Sequence, residues 1–442
     1  MSIGSTSARS LTHFSAPARF CALAAAALAG VGPASAGWTR WGGPNGDFTL
    51  PEAKILDAFP EGGPKVLWKR ELAGGFSSIV VAEGVAFVAA REGDDERLLA
   101  LDAATGEQKW EHRYTAKVPQ PTLTDEQKKN PDRQPGEMEY IADFGFGPNS
   151  TPLVVGDRVI TIGYLGHMHC LDRATGKSLW SHDFQKEFQP NFLRFGYSAS
   201  PIVYRDTVIA PVGGKEHGLV AFNLSDGKVV WHKHDFGAGY STPVIFQMGG
   251  RDLMAALVEP AIGVFDPTNG ELLWSTPHQN PFNSYIPTPM ICPGDRLFIG
   301  SDAGKGCRMF QLTYKDGQLD AKEVWNGKLK MAHFNAVRIG DRLLATPMQP
   351  EMVVAYALSD GTETWKDRVF GKSNFVVAGE KVLALSDDGK LRLLKLLPDG
   401  VTVMSEAKVL GEKQAYSPPS LVGGVLFARD REQVVALSLA KN

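Results

Sequence analysis

The ten residues from Leu171 to Trp180 read LDRATGKSLW, and this phrase decides the fold because the chain repeats it. Each copy has an apolar segment that ends in Asp or Asn, a turn with Gly, and a Trp further on. The turn fits a tight connection between two strands, since Gly accepts a positive φ and Asp or Thr caps the turn. The copies end at Trp110, Trp180, Trp231, Trp274, Trp365 and, more loosely, Trp325.

A second phrase precedes each copy and completes a repeating unit. Leu153 to Ile162 and Val337 to Leu344 each hold two apolar segments around a Gly-containing turn, which is the pattern of a β-hairpin. The two phrases together predict four short antiparallel strands in about 40 to 50 residues, as in a propeller blade. Two weaker units, Phe375 to Leu394 and Leu421 to Leu437, raise the expected number of blades to eight.

The two ends of the repeat region complement each other. The last unit offers three strands, whereas an extra strand from Val66 to Leu72 precedes the first unit and carries its own Trp68. We therefore predict an all-β, eight-bladed β-propeller of four-stranded antiparallel blades, whose last blade is closed by this N-terminal strand. Such closure removes free sheet edges.

The first 36 residues have the composition of a secretory signal peptide. Arg9 and Arg19 supply positive charge ahead of an apolar run from Phe20 to Val31. Ala34-Ser35-Ala36 then forms a small-residue cleavage site. The run is shorter than the roughly 20 residues that span a membrane, so no transmembrane segment is expected in the mature chain. We predict a signal peptide over 1–36, an N-terminal extension over 37–64 and the propeller over 65–442, in the periplasm or secreted.

One interval in the repeat is too long. Trp110 and Trp180 lie 70 residues apart, whereas later neighbours are 40 to 51 apart. This predicts an insertion over 114–147, between the first and second blades. A long excursion from a rigid scaffold often carries a binding function, and a disordered surface loop is the alternative for its first half.

Charge and cysteine content exclude some partners. The formal net charge is −3, and about −5 without the two arginines of the predicted signal peptide, so nucleic acid is not an expected partner. Cys170, Cys292 and Cys307 would remain and allow at most one disulfide, and whether Cys292 and Cys307 are bonded stays open. Although His167 to Cys170 reads HMHC, we predict no metal site, because other repeats have Ala at the position of Cys170.

Short runs of small, aromatic and amide residues precede the first strand of each predicted blade. In a closed propeller these runs converge on one funnel, where aromatic faces stack on a ligand and amides hydrogen-bond to it. The basic side chains of Arg194 and Lys372 there suit a ligand with a carboxylate or a sulfate group. Alternatively, the hydroxyls cap inner strands and the aromatic side chains pack between blades. The funnel candidates are Phe76, Asp143, Asn149, Arg194, Tyr197, Tyr240, His333, Asn335, Lys372 and Tyr416.

The Asp-x-x-Thr-Gly-x-x-x-Trp phrase resembles the pyrroloquinoline quinone (PQQ) repeat of quinoprotein alcohol dehydrogenases and BamB-type outer-membrane assembly proteins. The stretches Trp41 to Gly46 and Phe59 to Trp68 also resemble the opening of secreted bacterial proteins with PQQ-binding-like propellers. The resemblance implies the fold more strongly than the chemistry, because Gly and Trp serve blade packing in enzymes and scaffolds alike.

The resemblance to the enzymes implies PQQ above a tryptophan and below a disulfide between adjacent cysteines, with calcium held by Glu, Asn and Asp. This chain has no adjacent cysteines, and its tryptophans from Trp68 to Trp365 are assigned to blade docking. No cofactor is therefore predicted, and PQQ with calcium is the disfavoured alternative.

Three functions stay open. We favour an exported binding or scaffold protein, not an enzyme, that holds a protein partner, a polar small molecule or a saccharide in its funnel, because no known catalytic set is recognisable. The alternatives are a PQQ-dependent oxidoreductase and a carbohydrate-active lyase or hydrolase that uses Asp143, His333 or Tyr240 as acid or base. BamB-type proteins are lipoproteins, whereas Cys21 lacks the small-residue context of a lipoprotein cleavage site.

Overall fold

The computed structural model describes residues 37–118 and 145–441, apart from residues 192, 332, 335, 369, 370, 399, 412 and 413. The predicted signal peptide and most of the predicted insertion lie outside the described residues. Within the described ranges the chain forms eight sheets around a ring, which confirms the all-β, eight-bladed propeller. No helix in those ranges has the length and hydropathy needed to cross a bilayer.

The strands are short and follow one another blade by blade. In chain order they are β1 (Thr49–Leu50), β2 (Lys65–Glu71), β3 (Val80–Ala82), β4 (Val85–Glu92), β5 (Asp95–Asp102), β6 (Gln108–Thr115), β7 (Leu153–Val155), β8 (Arg158–Ile162), β9 (His167–Asp172), β10 (Ser178–Asp183), β11 (Ile202–Tyr204), β12 (Thr207–Pro211), β13 (Leu219–Asn223), β14 (Val229–Lys233), β15 (Val244–Met248), β16 (Arg251–Val258), β17 (Ala261–Phe265), β18 (Leu272–Pro277), β19 (Met290–Cys292), β20 (Arg296–Ile299), β21 (Arg308–Lys315), β22 (Gln318–Asn326), β23 (Val337–Ile339), β24 (Arg342–Ala345), β25 (Val353–Ala357), β26 (Glu363–Asp367), β27 (Ser373–Ala378), β28 (Lys381–Ser386), β29 (Lys390–Leu396), β30 (Val401–Lys408), β31 (Ser420–Val422), β32 (Val425–Arg429) and β33 (Gln433–Ser438). One short helix, α1 (Phe184–Glu187), follows β10.

Blades 1 to 7 each use four consecutive strands, from β3–β6 to β27–β30, and blade 8 consists of β31, β32, β33 and β2. Strand β2 pairs antiparallel with β33, from Lys65 opposite Ser438 to Glu71 opposite Gln433. This pairing confirms that an N-terminal strand closes the ring. Strand β6 runs to Thr115, so the long connection to β7 begins just after the predicted boundary.

The N-terminal extension adds a strand that the sequence does not predict. Strand β1 pairs parallel with β27, with Thr49 opposite Val377 and Leu50 opposite Ala378. Blade 7 therefore has a fifth strand. Since β27 is the innermost strand of its blade, the extension lies in the central channel.

The repeated Trp and Gly form the joints between blades. Trp110 of blade 1 donates from Nε1 to the carbonyl of Arg173 in blade 2, at 3.0 Å. A Cβ on Gly176 would lie 2.5 Å from the Trp110 ring, so only Gly allows this close approach. The same contact recurs around the ring, between Trp68 and Gly106, Trp180 and Gly227, Trp231 and Gly270, Trp325 and Gly361, and Trp365 and Gly400.

The looser copy of the repeat has a different joint. A Cβ on Gly317 would have no atom within 4 Å, so this glycine contacts no tryptophan. Trp274 of blade 4 instead packs edge-on against Phe310 of blade 5, with ring centroids 5.3 Å apart. The long hairpin of β21 and β22 carries its turn away from the joint, which explains why the sequence pattern weakens there.

The Trp–Gly joint predicts a graded loss of stability. Gly176→Ala is expected to lower the free energy of unfolding by about 2 kcal/mol, through a positive φ and a clash with Trp110. Gly156→Ala is the matched control, because Gly156 also has a positive φ but open space around it, and should cost about 1 kcal/mol. Urea unfolding of both variants measures the difference, and equal losses would contradict the packing role.

The three cysteines of the described chain, Cys170, Cys292 and Cys307, are free and buried. This answers the open disulfide question, since Cys292 and Cys307 are not bonded. Burial raises the pKa of each thiol to about 12, so none is a reactive thiolate at neutral pH.

Candidate functional site

A row of hydroxyl groups links the innermost segments of blades 1 to 4. The backbone N–H of Ser78 donates to Thr151 Oγ1 at 3.0 Å, and that of Thr151 donates to Ser200 Oγ at 3.0 Å. The N–H of Ser200 in turn donates to Thr242 Oγ1 at 2.9 Å. These hydroxyls satisfy buried backbone donors, so their role is structural, as the capping alternative expects.

The lining residues of the pocket stand at a fixed spacing from these hydroxyls. The relevant position is two residues before each hydroxyl. In blades 1 to 4 this position holds Phe76, Asn149, Ser198 and Tyr240, and all four line one pocket.

The pocket lies at the funnel mouth and has a volume of about 910 Å³, its open end included. Most of its wall is apolar or aromatic, and none of its described lining residues is Asp, Glu, Lys or Arg. The lining consists of Trp41, Phe76, Gly145, Asn149, Phe195, Ser198, Tyr240, Thr242, Ile286, His333, Tyr416 and Pro418.

Trp41 comes from the N-terminal extension, which crosses the channel. The carbonyl of Trp38 accepts a hydrogen bond of 2.8 Å from the Val81 N–H of blade 1. The Trp41 indole Nε1 donates to Thr288 Oγ1, next to blade 5, at 2.9 Å. The extension is thus fixed to the inner segments of several blades, and it contributes Trp41 to the pocket lining.

Two groups of rings form the walls. The His333 and Tyr416 rings are stacked, with centroids 5.6 Å apart and planes 10° apart, and Phe76 lies 5.3 Å from Tyr416. Phe195 and Tyr240 pack together 6.1 Å apart, and the Phe195 N–H donates to Tyr240 Oη at 3.4 Å. Flat, uncharged faces therefore surround the space.

Two titratable residues of the lining, Tyr240 and His333, are neutral at physiological pH. Burial raises the pKa of Tyr240 above its usual value, despite hydrogen bonding to Phe195 and the charge of Arg194. Desolvation within the funnel lowers the pKa of His333, although the residue is exposed at the surface; Asp302 opposes this shift and Lys372 adds to it. The pocket thus offers stacking and hydrogen bonds rather than charge.

The structure brings five of the ten predicted funnel residues together in this lining: Phe76, Asn149, Tyr240, His333 and Tyr416. Arg194 is next to it, because its guanidinium carbon lies 5.5 Å from the centroid of the lining residue Phe195. Asp143 and Asn335 lie outside the described residues.

Tyr197 and Lys372 do not line the pocket. Tyr197 is 2% exposed, and its Oη donates to the Val212 carbonyl at 2.7 Å within the core of blades 2 and 3. It is one residue out of register with Ser198, and such a slip reverses the direction of a side chain. Lys372 forms an ion pair of 3.2 Å with Glu351.

Sequence reasoning missed several lining residues. Trp41 lies outside the repeats, and its partner Thr288 is 247 residues away in the chain, so no local pattern marks it. Phe195 adjoins the predicted candidate Arg194. Ser198 and Ile286 each stand two residues before a hydroxyl residue, Ser200 and Thr288, and this spacing could have selected Ser198 instead of Tyr197.

The described lining does not fit the calcium that accompanies PQQ in the enzymes that the chain resembles. No Asp or Glu belongs to this lining, so no carboxylate there could hold the ion. In the described ranges, no group of three His, Cys, Asp or Glu residues is arranged to hold a metal ion.

The comparisons with known proteins agree with this architecture. A family model described as outer membrane protein assembly factor BamB matches residues 58–130, 131–311 and 258–441. The BamB of Yersinia pestis is 25% identical over an alignment of 301 residues, and the match covers 64% of this chain and 71% of that protein. The quinoprotein alcohol dehydrogenase PedH of Pseudomonas putida is 28% identical over an alignment of 168 residues, and the match covers 34% of this chain and 27% of that enzyme.

A solved structure resembles the whole ring. The crystal structure of BamB from Moraxella catarrhalis matches with a TM-score of 0.60 and 14% sequence identity, and the match covers 85% of this chain and 99% of that one. At this identity the likeness supports the fold alone.

Proposed function

The chain belongs to the family described as outer membrane protein assembly factor BamB, and from that premise we propose that it is an exported, periplasmic binding protein that holds a segment of a partner polypeptide in its funnel pocket. The observation that carries this proposal is the aromatic pocket, whose lining includes Trp41 of the N-terminal extension. The partner belongs to the assembly of outer membrane proteins, as the name of the family suggests.

The shape and chemistry of the pocket suit the side chains of an extended segment. Buried aromatic anchors in rigid, desolvated pockets supply most of the binding energy of protein interfaces. The lining residues are held by the inner strands and by the hydroxyl hydrogen bonds between blades 1 to 4, so little conformational entropy is lost on binding. Because the volume of about 910 Å³ includes space open to solvent, the enclosed part of the pocket accommodates one or two side chains and not a folded domain.

The hydrolase alternative requires groups that the described lining does not supply. Glycoside hydrolysis ordinarily uses a pair of carboxylic acids, and the described lining contains no carboxyl group. A lyase needs only a base and an acid, and the neutral His333 and Tyr240 are the candidates for these roles.

Site-specific photo-crosslinking in living cells tests the proposed function. A benzoylphenylalanine in place of Ser198 reports on the pocket, and the same group in place of Val229, exposed on outer strand β14, is the control. We expect a protein adduct from Ser198 that Tyr416→Ala abolishes, and none from Val229. Adducts from Val229 alone would contradict the proposal.

Calorimetric titration of the purified protein tests the alternatives directly. The probes are PQQ with calcium, and neutral and acidic oligosaccharides. Tight, calcium-dependent binding of PQQ, or saccharide binding that His333→Ala abolishes, would replace our proposal with the corresponding alternative. We expect neither.

A further inference from the structure

The N-terminal extension binds inside the channel through the main chain of the inner strands. The Trp38 carbonyl accepts a hydrogen bond of 2.8 Å from the Val81 N–H of blade 1. The next carbonyl along the chain, that of Thr39, accepts one of 2.8 Å from the Val154 N–H of blade 2. Two consecutive carbonyls of one segment therefore span two neighbouring blades, and the channel edge of an inner strand is a site where another main chain can pair.

Blades 4 and 5 present the same donors. Val81 and Val154 each stand three residues after a hydroxyl residue of their inner segment, and Ile245 of β15 and Ile291 of β19 stand at the same spacing. Since ladder bonds alternate along an antiparallel pair, a residue in this register turns its N–H away from the partner strand. Among the described residues, no carbonyl accepts from the Ile245 or the Ile291 N–H on the channel side.

The side chains of β15 point into the joints between blades. Ile245 packs against the core between blades 3 and 4, whereas Phe246 packs against the core between blades 4 and 5. Successive side chains of a strand point in opposite directions, so neither direction is that of the channel. The strand therefore presents its main-chain edge to the channel.

A cleft lies in front of this edge, between the extension and blades 3 to 5. It has two connected parts, of about 540 and 430 Å³ with their open ends included. Both parts are lined by Asn45, Gly46, Val244, Ile245 and Thr288. We call this space the inner cleft. Ile291 lines its larger part, and Trp41 lines both its smaller part and the funnel pocket, so the indole stands between the two spaces.

The inner cleft has no net charge. Arg40 and Asp47 are the only charged residues of its described lining. Arg40 Nη2 donates to the Pro44 carbonyl at 2.7 Å, and Asp47 Oδ1 accepts from the Thr49 N–H at 3.0 Å. Both side chains thus hold the loop of the extension. A charged ligand group would lose its hydration in this cleft without gaining a counter-ion.

We propose that the inner cleft binds an extended, uncharged segment of a partner polypeptide, in which two consecutive carbonyls accept hydrogen bonds from the Ile245 and Ile291 N–H groups. The segment would bind blades 4 and 5 as the extension binds blades 1 and 2. Main-chain pairing of this kind supplies affinity, and the apolar flanks of the cleft favour an apolar side chain. This site is separate from the funnel pocket and does not rest on the proposed function.

Amide hydrogen exchange of the mature protein, resolved residue by residue by NMR, tests the proposal. The probe is the peptide Ser-Gly-Trp-Thr-Gly-Ser, which copies Gly37 to Thr39 of the extension. At saturation we expect exchange of the Ile245 and Ile291 amides to slow at least about 10-fold. The Val81 and Val154 amides, which already donate to carbonyls, should not change. A fully N-methylated peptide, and one with Glu in place of Trp, should have little effect.

A substitution in the extension assigns the effect to the inner cleft. Gly46 has a φ of +74° and no atom within 4 Å of an added Cβ, so Gly46→His has room and should narrow the cleft. Gly84→His is the matched control, because Gly84, in the turn between β3 and β4, has a φ of +76° and similar open space. His tolerates a positive φ better than most residues. We expect Gly46→His to abolish the slowing by the peptide and Gly84→His to retain it.

Two results would overturn the proposal. Slowing by the N-methylated peptide equal to that by the parent peptide would mean that a ligand fills the cleft without main-chain pairing. No slowing by any of the peptides would mean that the two donors face solvent alone. Either result would leave the proposed function standing, because the Ser198 crosslinking experiment tests the funnel pocket independently.

Discussion

Lowering the pH from 7 to 5 is expected to reduce the free energy of unfolding by about 3 kcal/mol, because two histidines are held neutral inside the propeller. Burial lowers the pKa of His278 to about 4 and that of His169 to about 3. An unfolded chain binds the proton with a pKa of about 6.5. Below that pH the unfolded state binds more protons than the native state, and stability falls until the native pKa is reached.

The environments of the two histidines explain these pKa values. His278 is 1% exposed, and both of its ring nitrogens lack hydrogen-bond partners. Arg308 and Lys305 lower its pKa further, and Glu323 opposes them. We expect His278 to account for about 2 kcal/mol at pH 5, since each pH unit is worth about 1.4 kcal/mol.

His169 lies at the joint between blades 1 and 2. Its ring centroid is 4.8 Å from that of His112 and 4.3 Å from that of Tyr114, and His167 lies on the same face of β9. Both ring nitrogens lack partners, and the neighbouring imidazoles add to the effect of burial. Because His169 is partly exposed, we expect its share to be nearer 1 kcal/mol at pH 5.

Urea unfolding at pH 7, 6 and 5 gives the free energy of unfolding of each variant at each pH. The change in this free energy between pH 7 and pH 5 isolates the effect, because it excludes any loss of stability that the substitution causes at pH 7. His278→Gln should reduce the loss between pH 7 and pH 5 by about 2 kcal/mol, and His169→Gln by about 1 kcal/mol. His232→Gln, at an exposed position of β14, is the control and should keep the wild-type loss. Parallel profiles for all three variants would refute the role of the buried imidazoles. Glu259 and Asp387 have the opposite effect on stability as the pH falls, because burial raises the pKa of both carboxyl groups and the native state then binds protons more readily than the unfolded state.

The sequence predicts the ring well because one local contact recurs. Gly176 must lack a Cβ where Trp110 docks, and this requirement leaves the same two residue types at the same spacing in most blades. Where the contact changes, as at Trp274 and Phe310, the pattern fades as well. The closing strand was predictable for a related reason, since β33 would otherwise present an unpaired edge.

The site was only partly predictable, because the choice of lining residues depends on contacts between residues far apart in the chain. Ser198 and not Tyr197 lines the pocket, and the Ser200 hydroxyl two residues further on is held by Thr151 of another blade. Trp41 enters through an extension with no repeat pattern, held by Thr288. Residue types near each inner strand therefore locate the funnel, whereas only the assembled ring selects its lining.

The joint between blades 8 and 1 contains a fully buried cation in addition to the Trp68–Gly106 contact. Arg429, in β32, is 0% exposed, and its Nη1 donates to the Ala89 carbonyl at 2.7 Å and to the Ser77 carbonyl at 3.2 Å. Its Nε donates to the Asp430 carbonyl at 3.2 Å. Burial lowers the pKa of Arg429 to about 9, with Asp430 opposing the shift. The guanidinium thus connects the last blade to the first with hydrogen bonds rather than with a direct ion pair.

Arg429→Met is expected to lower the free energy of unfolding by about 2 kcal/mol, because the Met side chain fills much of the same space but leaves the buried Ser77 carbonyl without this donor and the Ala89 carbonyl with the Ser77 hydroxyl alone. Arg429→Lys should cost less, since an ammonium retains the charge and can reach one carbonyl. Arg368→Met, at an exposed position, is the control for loss of a positive charge and should change stability by less than about 0.5 kcal/mol. Urea unfolding followed by tryptophan fluorescence measures all three variants. A loss below about 1 kcal/mol for Arg429→Met would mean that the strand pairing of β2 with β33 holds the ring closed without the buried cation.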